Sequence, residues 1–205
     1  MLLGDMQDWK PNVASIIEYA ADIYPESEVV SKLVSGQVHR TNYAEVCVRS
    51  RKLASKLVKD GYKQGDVIAT LALNTFRHLE AYYGVSGMGA VVHTLNFRLH
   101  PEQAVYIINH AEDKVIFVEA PFVPILEALQ ENLRTVEKYI VFCDKHEMPE
   151  STLKNCISYE EYIEDGDENF VWPDLPDNAA CGLCYTSGTT GNPKGVLYSH
   201  KSTIL

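Results

Sequence analysis

An α/β fold, a parallel sheet flanked by helices, is what this sequence predicts, and three observations carry it. Four short runs are apolar for most of their length: "DVIATLAL" (66–73), "AVVHTLN" (90–96), "KVIFVEA" (114–120) and "KYIVFC" (138–143). Strands without polar alternation belong to parallel sheets covered on both faces. Stretches near 76–87, 101–111 and 122–134 separate them and show helical spacing, which supplies the crossovers parallel strands need. Finally, 205 residues with 46% hydrophobic content suffice for one core, either one domain or one large domain cut short.

The elements follow in order. Val13, Ile16, Ile17, Ala20 and Ile23 recur at helical spacing after Pro11 and Asn12. "EVVSKLV", Ser35-Gly36 and "QVHRTNY" read as a small N-terminal hairpin. Thr41 is placed to cap a helix carrying Tyr43, Val46, Cys47, Leu53, Ala54, Leu57 and Val58 inward. Asp60-Gly61 stops it, with Gly61 suited to the left-handed position after a helix. Pro101 fits a first helical turn. From 144 to 178 the pattern loosens, and the acidic "EEYIEDGDENF" reads as a solvated connector rather than a metal site. "AACGLCY" and "GVLYSH" are strands, and "KSTIL" opens a helix that Ser202 would cap. One helical turn cannot support itself, so position 205 reads as a cut.

Composition excludes several functions. The formal net charge of -10 argues against a nucleic-acid or anionic-membrane surface. The start "MLLGDMQDWK" lacks the apolar run of a signal peptide. No stretch reaches the roughly 18 apolar residues of a membrane helix. Five irregularly spaced cysteines fit a reducing, cytoplasmic setting.

The chemistry concentrates in Tyr185–Gly195, "YTSGTTGNPKG". Glycines free backbone N–H groups to converge on phosphate oxygens. Thr and Ser hydroxyls add donors and can ligate Mg²⁺ as neutral oxygens. Lys194 supplies a mobile positive charge, and Pro193 stiffens the chain before it. A Walker A loop is excluded, because five after Gly188 stands Pro193, five after Gly191 stands Val196, and Lys194 is followed by Gly195. A strand rather than a helix follows, so the helix-dipole mode of phosphate binding does not apply.

"YTSGTTGNPKGVLYSH" resembles the phosphate loop of the adenylate-forming superfamily of acyl-CoA synthetases, adenylation domains and luciferases. "TNYAEV…RKLASKLVKDGYKQGDVIATLALN", "RHLEAYYGVSGMGAVVHTLNFRL" and "PEQAVYIINHAEDKVIFVE" are similar to its earlier blocks, and "ISYEEYIEDGDENFVWPD" is most like bacterial medium-chain fatty acid–CoA ligases, with 3-methylthiopropionate ligases nearly as similar. The resemblance implies that 1–205 is the incomplete N-terminal adenylation part of a large domain, with a small C-terminal domain absent. It implies ATP, Mg²⁺ and coenzyme A acting on a small carboxylic acid in two steps, acyl-adenylate formation and thioester formation. It places Thr186, Ser187, Gly188, Thr189, Thr190 and Gly191 around the β- and γ-phosphates, Lys194 as charge compensation and Thr186 as a Mg²⁺ ligand. The catalytic residues would lie beyond Leu205, so the piece alone is expected to be inactive. A non-catalytic truncated nucleotide-binding protein is the alternative of another class. Phe97 departs from the family's usual Asn-Pro-Arg-Leu and restores an N–H that proline lacks.

Other chemistry-bearing residues read as structural. Cys181 and Cys184 have no second pair for zinc, and strand residues three apart face opposite ways. His78 and Glu80 read as a helix-surface pair and His93 as a satisfied core histidine. His200 either reaches the nucleotide or packs, and Asn96 and Arg98 either anchor a turn or approach the substrate.

Overall fold

The computed structural model describes residues 5, 9–186 and 192–205. The four apolar runs become β3 (Val67–Leu71), β4 (Val91–Thr94), β5 (Val115–Val118) and β6 (Lys138–Val141). With β7 (Cys156–Ser158), β8 (Ala180–Thr186) and β9 (Lys194–Ser199) they form one sheet of order β7-β6-β5-β3-β4-β8-β9. Every neighbouring pair is parallel except β8–β9, which is antiparallel.

Continuous apolarity is explained by helices on both faces. Val115 and Phe117 of β5 join Ile68, Val92 and Ile140 on one face, beneath α2 (Tyr43–Lys59), α3 (Phe76–Gly87) and α6 (Tyr159–Ile163). Ile116 and Val118 join Ala69, Tyr139 and Val141 on the other, beneath α4 (Pro101–Ala111) and α5 (Val123–Leu129). Alternation within each strand thus feeds two separate cores. Helix α1 (Ala14–Ile23) packs on α2 through Ile17, Val46 and Cys47.

The N-terminal hairpin forms as expected, β1 (Glu28–Lys32) against β2 (Val38–Asn42), with Gly36 at φ 88° in its turn. Gly61 takes φ 93° just past α2, as its position required. The caps differ from expectation. Asn42, not Thr41, caps α2 by accepting from the Glu45 N–H at 2.9 Å, because the hairpin ladder ends at the Glu28–Asn42 pair and α2 begins at the next residue, Tyr43. Val58 is exposed, since the buried stripe of α2 runs through Leu53, Ala54 and Leu57. Ser199, not Ser202, caps α7 (His200–Ile204), with Ser202 returning the second bond of a capping box. The stretch 122–134 holds only the short α5 followed by a 3-10 turn, Gln130–Asn132.

The connector carries more order than its composition suggests. Strand β7 and α6 lie within it, and Tyr159, Tyr162 and Ile163 are buried. Gly166 passes so close to α2 that a Cβ there would lie 2.4 Å from the Lys52 carbonyl oxygen. The Asp167 N–H then donates to Ser55 Oγ at 2.7 Å.

A buried ionic cluster ties these helices together. Arg49 donates to Glu80 at 2.8 Å and to Glu160 at 3.0 and 2.9 Å. Arg77 donates to Glu160 at 2.7 Å and Asp144 at 2.8 Å, and the Tyr159 hydroxyl donates to Glu80 at 2.9 Å. Glu80 is therefore fully buried rather than on a helix surface with His78. His78 turns the other way, with its ring nitrogens 3.0 Å from the Leu73 carbonyl and 3.0 Å from Thr70 Oγ1.

Candidate functional site

The crossover β3–α3–β4 lies over one face of the sheet and β4–α4–β5 over the other. A cleft opens beside the carboxyl end of β4, and carboxyl ends of strands are where ligands of such sheets bind. The β8–β9 hairpin stands beside it.

Thr186 and Lys194 face each other as the last pair of the β8–β9 ladder. Both are exposed, one on each side of the hairpin mouth. Ser187, Gly188, Thr189, Thr190 and Gly191 lie outside the described residues. One residue back, Tyr185 is paired with Gly195, where a Cβ would lie 3.2 Å from the Tyr185 ring. That glycine leaves the ring room to lie over β9. The Tyr185 hydroxyl reaches His110 Nδ1 at 2.6 Å, which ties the hairpin to α4.

Behind the mouth lies a cleft of about 390 Å³, lined by His93 to Asn96 of β4 and its exit, by Leu99, by Gln103 and Ile107 of α4, and by Tyr185, Thr186 and Pro193. The lining mixes aliphatic side chains with hydroxyls and amides, the composition of a small-molecule site. His93 is its most buried polar member. Its Nδ1 stands 3.0 and 2.8 Å from the two Asp113 oxygens, and its Nε2 has no partner among the described residues. Burial pushes the Asp113 carboxyl up, while His93 pulls it back. The core-histidine expectation thus holds for one ring nitrogen only. Asp113 and Tyr185 were not singled out from the sequence as partners of His93, because separations of 20 residues to Asp113 and more to Tyr185 carry no periodic signal.

Asn96 both anchors a turn and faces the cleft, its Oδ1 accepting from the Arg98 N–H at 2.9 Å. Phe97, where proline was expected, stacks on Phe122 with centroids 5.1 Å apart, and the Arg98 guanidinium lies over the Phe97 ring at 5.3 Å. His200 packs: it is fully buried, and its Nδ1 accepts the Val13 N–H at 3.0 Å. Cys181 and Cys184 diverge, one against Thr203 at 3.3 Å and the other against Thr94 at 3.4 Å, and all five cysteines are free.

Thr186 offers Mg²⁺ one neutral oxygen, and no carboxylate lines the cleft among the described residues. These residues do not by themselves make a Mg²⁺ site, which wants carboxylates or phosphate oxygens. Asp144, His146 and Glu147 do cluster, but across the sheet, and Asp144 is already held by Arg77. A second cleft of about 470 Å³ lies between β1 and α3, where His78 has both nitrogens engaged. Among the described residues no helix is long and apolar enough to cross a membrane.

Comparison with known proteins agrees with this geometry. A medium-chain-fatty-acid–CoA ligase of Ectopseudomonas oleovorans is 47% identical over 204 residues, 100% of this chain and 37% of that protein. A 3-methylmercaptopropionyl-CoA ligase of Ruegeria pomeroyi is 46% identical, again over 100% of this chain and 38% of that protein. The chain therefore spans little more than a third of the length of these curated relatives. The structure of an anthranilate CoA ligase in complex with anthranoyl-AMP superposes with a TM-score of 0.84 at 22% identity, covering 98% of this chain and 37% of that one, which establishes the shared fold. Residues 17–205 match the AMP-binding enzyme family, and the chain belongs to it.

Proposed function

We propose that this chain is the N-terminal portion of an ATP-dependent acyl-CoA ligase that activates a medium- or long-chain fatty acid as its acyl-adenylate and passes the acyl group to coenzyme A. The observation that carries this reading is the loop "TSGTTGNPK", whose ends Thr186 and Lys194 are opposed across a hairpin mouth beside the cleft. The 47% identity to a fatty-acid ligase supports it.

The loop holds the pyrophosphate that leaves when a carboxylate attacks the α-phosphate. Backbone N–H groups and hydroxyls of Thr186, Ser187, Gly188, Thr189, Thr190 and Gly191 take the β- and γ-oxygens. Lys194 offsets their charge. Such catalysis is positioning and charge stabilisation, carried here by N–H, hydroxyl and ammonium donors. Mg²⁺ would need the phosphates as its main ligands, Thr186 could offer it one neutral oxygen, and the ion would supply charge screening. The rest of the active site, including the small C-terminal domain, belongs to the remainder of the enzyme, and this portion alone is inactive. The free cysteines support a cytoplasmic setting. A second reading keeps the adenylation and changes the acid to 3-methylthiopropionate, on the 46% identity to such a ligase.

The test is carboxylate-dependent ATP–pyrophosphate exchange by the complete enzyme across an acid panel. Lys194→Ala should lower it at least about a hundredfold, the cost of one well-placed charge in such a site. A near-normal rate sinks the loop assignment. The best acid in the panel decides between the two readings.

A further inference from the structure

We propose that Nε2 of His93, backed by Asp113, donates a hydrogen bond to an oxyanion seated in the cleft between α4 and the β8–β9 hairpin. This rests on the cleft being part of the ligase's substrate site.

The His93 side chain is 1% exposed and that of Asp113 is fully buried, and their ion-pair contact is 2.8 Å. Among the described residues, no other side chain bonds the Asp113 carboxyl. A buried polar atom left without a partner in a native fold calls for an explanation. Here Nε2 is such an atom, on a residue that lines a cleft of about 390 Å³.

Proton arithmetic gives Nε2 its role. With one proton between them, the pair is a neutral imidazole beside a buried carboxylate, a net negative charge in the interior, which is costly. With two protons the pair is neutral, whether as imidazolium and carboxylate or as imidazole and carboxylic acid. In both two-proton forms Nε2 carries hydrogen and needs an acceptor. Burial, which pushes the Asp113 carboxyl up, favours that count.

Among the described residues, the titratable groups around the pair leave the acceptor to a ligand. Tyr185 approaches His93 from β8, with ring centroids 5.2 Å apart, but its hydroxyl is engaged by His110. Tyr106 stacks on His110 at 5.3 Å, behind that contact. Leu95, Leu99 and Ile107 make the rest of the wall aliphatic, with Thr94, Asn96 and Thr186 as neutral hydrogen-bonding groups. An oxyanion there is either a phosphate of the nucleotide or the carboxylate of an aliphatic acid.

The experiment labels histidine with ¹⁵N in the complete enzyme and reads which ring nitrogen of His93 is protonated, during separate titrations with inorganic pyrophosphate and with octanoate. The Nε2 resonances should move saturably with one probe. A response to pyrophosphate assigns the phosphate source, and a response to octanoate the carboxylate source. Asp113→Asn keeps the ring and accepts Nδ1–H, so it moves the proton off Nε2 and should weaken the responding probe at least about tenfold, the loss of one charged hydrogen bond. His93→Asn, which retains a donor to Asp113 but has no Nε2, should do the same. If His93→Asn does not fold, Asp113→Asn decides. The proposal is overturned if neither probe moves Nε2, or if Asp113→Asn binds as the wild type does. Binding is read without turnover, so an unaffected exchange rate in Lys194→Ala would remove the loop assignment and leave this result standing.

Discussion

Replacing Arg49 with methionine tests the ionic cluster that joins α2, α3 and α6. Methionine keeps most of the stem but removes three charge-assisted hydrogen bonds, one to Glu80 and two to Glu160. At about 1.5–3 kcal/mol each, simple addition would exceed 4 kcal/mol. Two features of the structure reduce it. Glu160 keeps Arg77 at 2.7 Å. Glu80 escapes its uncompensated charge by taking a proton, since burial, opposed by Arg49, already holds its carboxyl up at about 7. The expected loss at neutral pH is thus about 3 kcal/mol, the low end for breaking a buried pair.

The sign of the pH dependence follows. In the wild type the contribution of Glu80 to stability is full below its ordinary value of 4.5 and is lost as the pH rises through about 7. Without Arg49 its carboxyl rises further, so the penalty should be smaller near about pH 5 than near about pH 8. Urea unfolding followed by circular dichroism measures this, and adding Glu80→Leu should restore part of the loss, because no buried carboxylate then remains beside Tyr159. A loss below about 1 kcal/mol, or one that does not grow with pH, refutes the reasoning.

Asn42→Ala removes the side-chain cap of α2 and should cost about 1 kcal/mol in urea unfolding, whereas Thr41→Val should leave that cap intact. Gly166→Ala places a methyl against the Lys52 carbonyl, so it should cost about 1–3 kcal/mol and make the segment near Gly166 a preferred site of limited proteolysis. Phe117→Ala empties a fully buried position among Phe142 and Tyr159 and should cost about 3–5 kcal/mol, read as a drop in the urea midpoint at unchanged slope.

Much of this protein was legible in its residues because the signals are local. Runs of unbroken apolar residues gave away β3 to β6 and their parallel arrangement, since only a doubly covered strand excludes polar positions on both faces. Gly36 and Gly61 marked their turns because both need a positive φ. The loop at 185–195 suggested phosphate binding through its residue types alone, the reading carried into the proposed function. Caps were misplaced by one to three residues because Thr41 and Asn42, or Ser199 and Ser202, are equally able chemically, and where strand pairing ends decides between them.

Tertiary structure decided the rest. The order that sets β3 between β4 and β5 depends on pairings between residues far apart in the chain, which no window of sequence contains. Strand β7 and α6 are too short to show a period, and they hold because Tyr159 and Glu160 find Glu80, Arg49 and Arg77. Glu80 looks like a surface acid until the fold surrounds it. Asp113 looks like a turn residue until α4 and β5 bring it against His93, a residue of the cleft wall whose Nε2 has no partner among the described residues. Residue type along the chain determined which groups could carry chemistry; burial and distance determined which of them are left to meet a ligand.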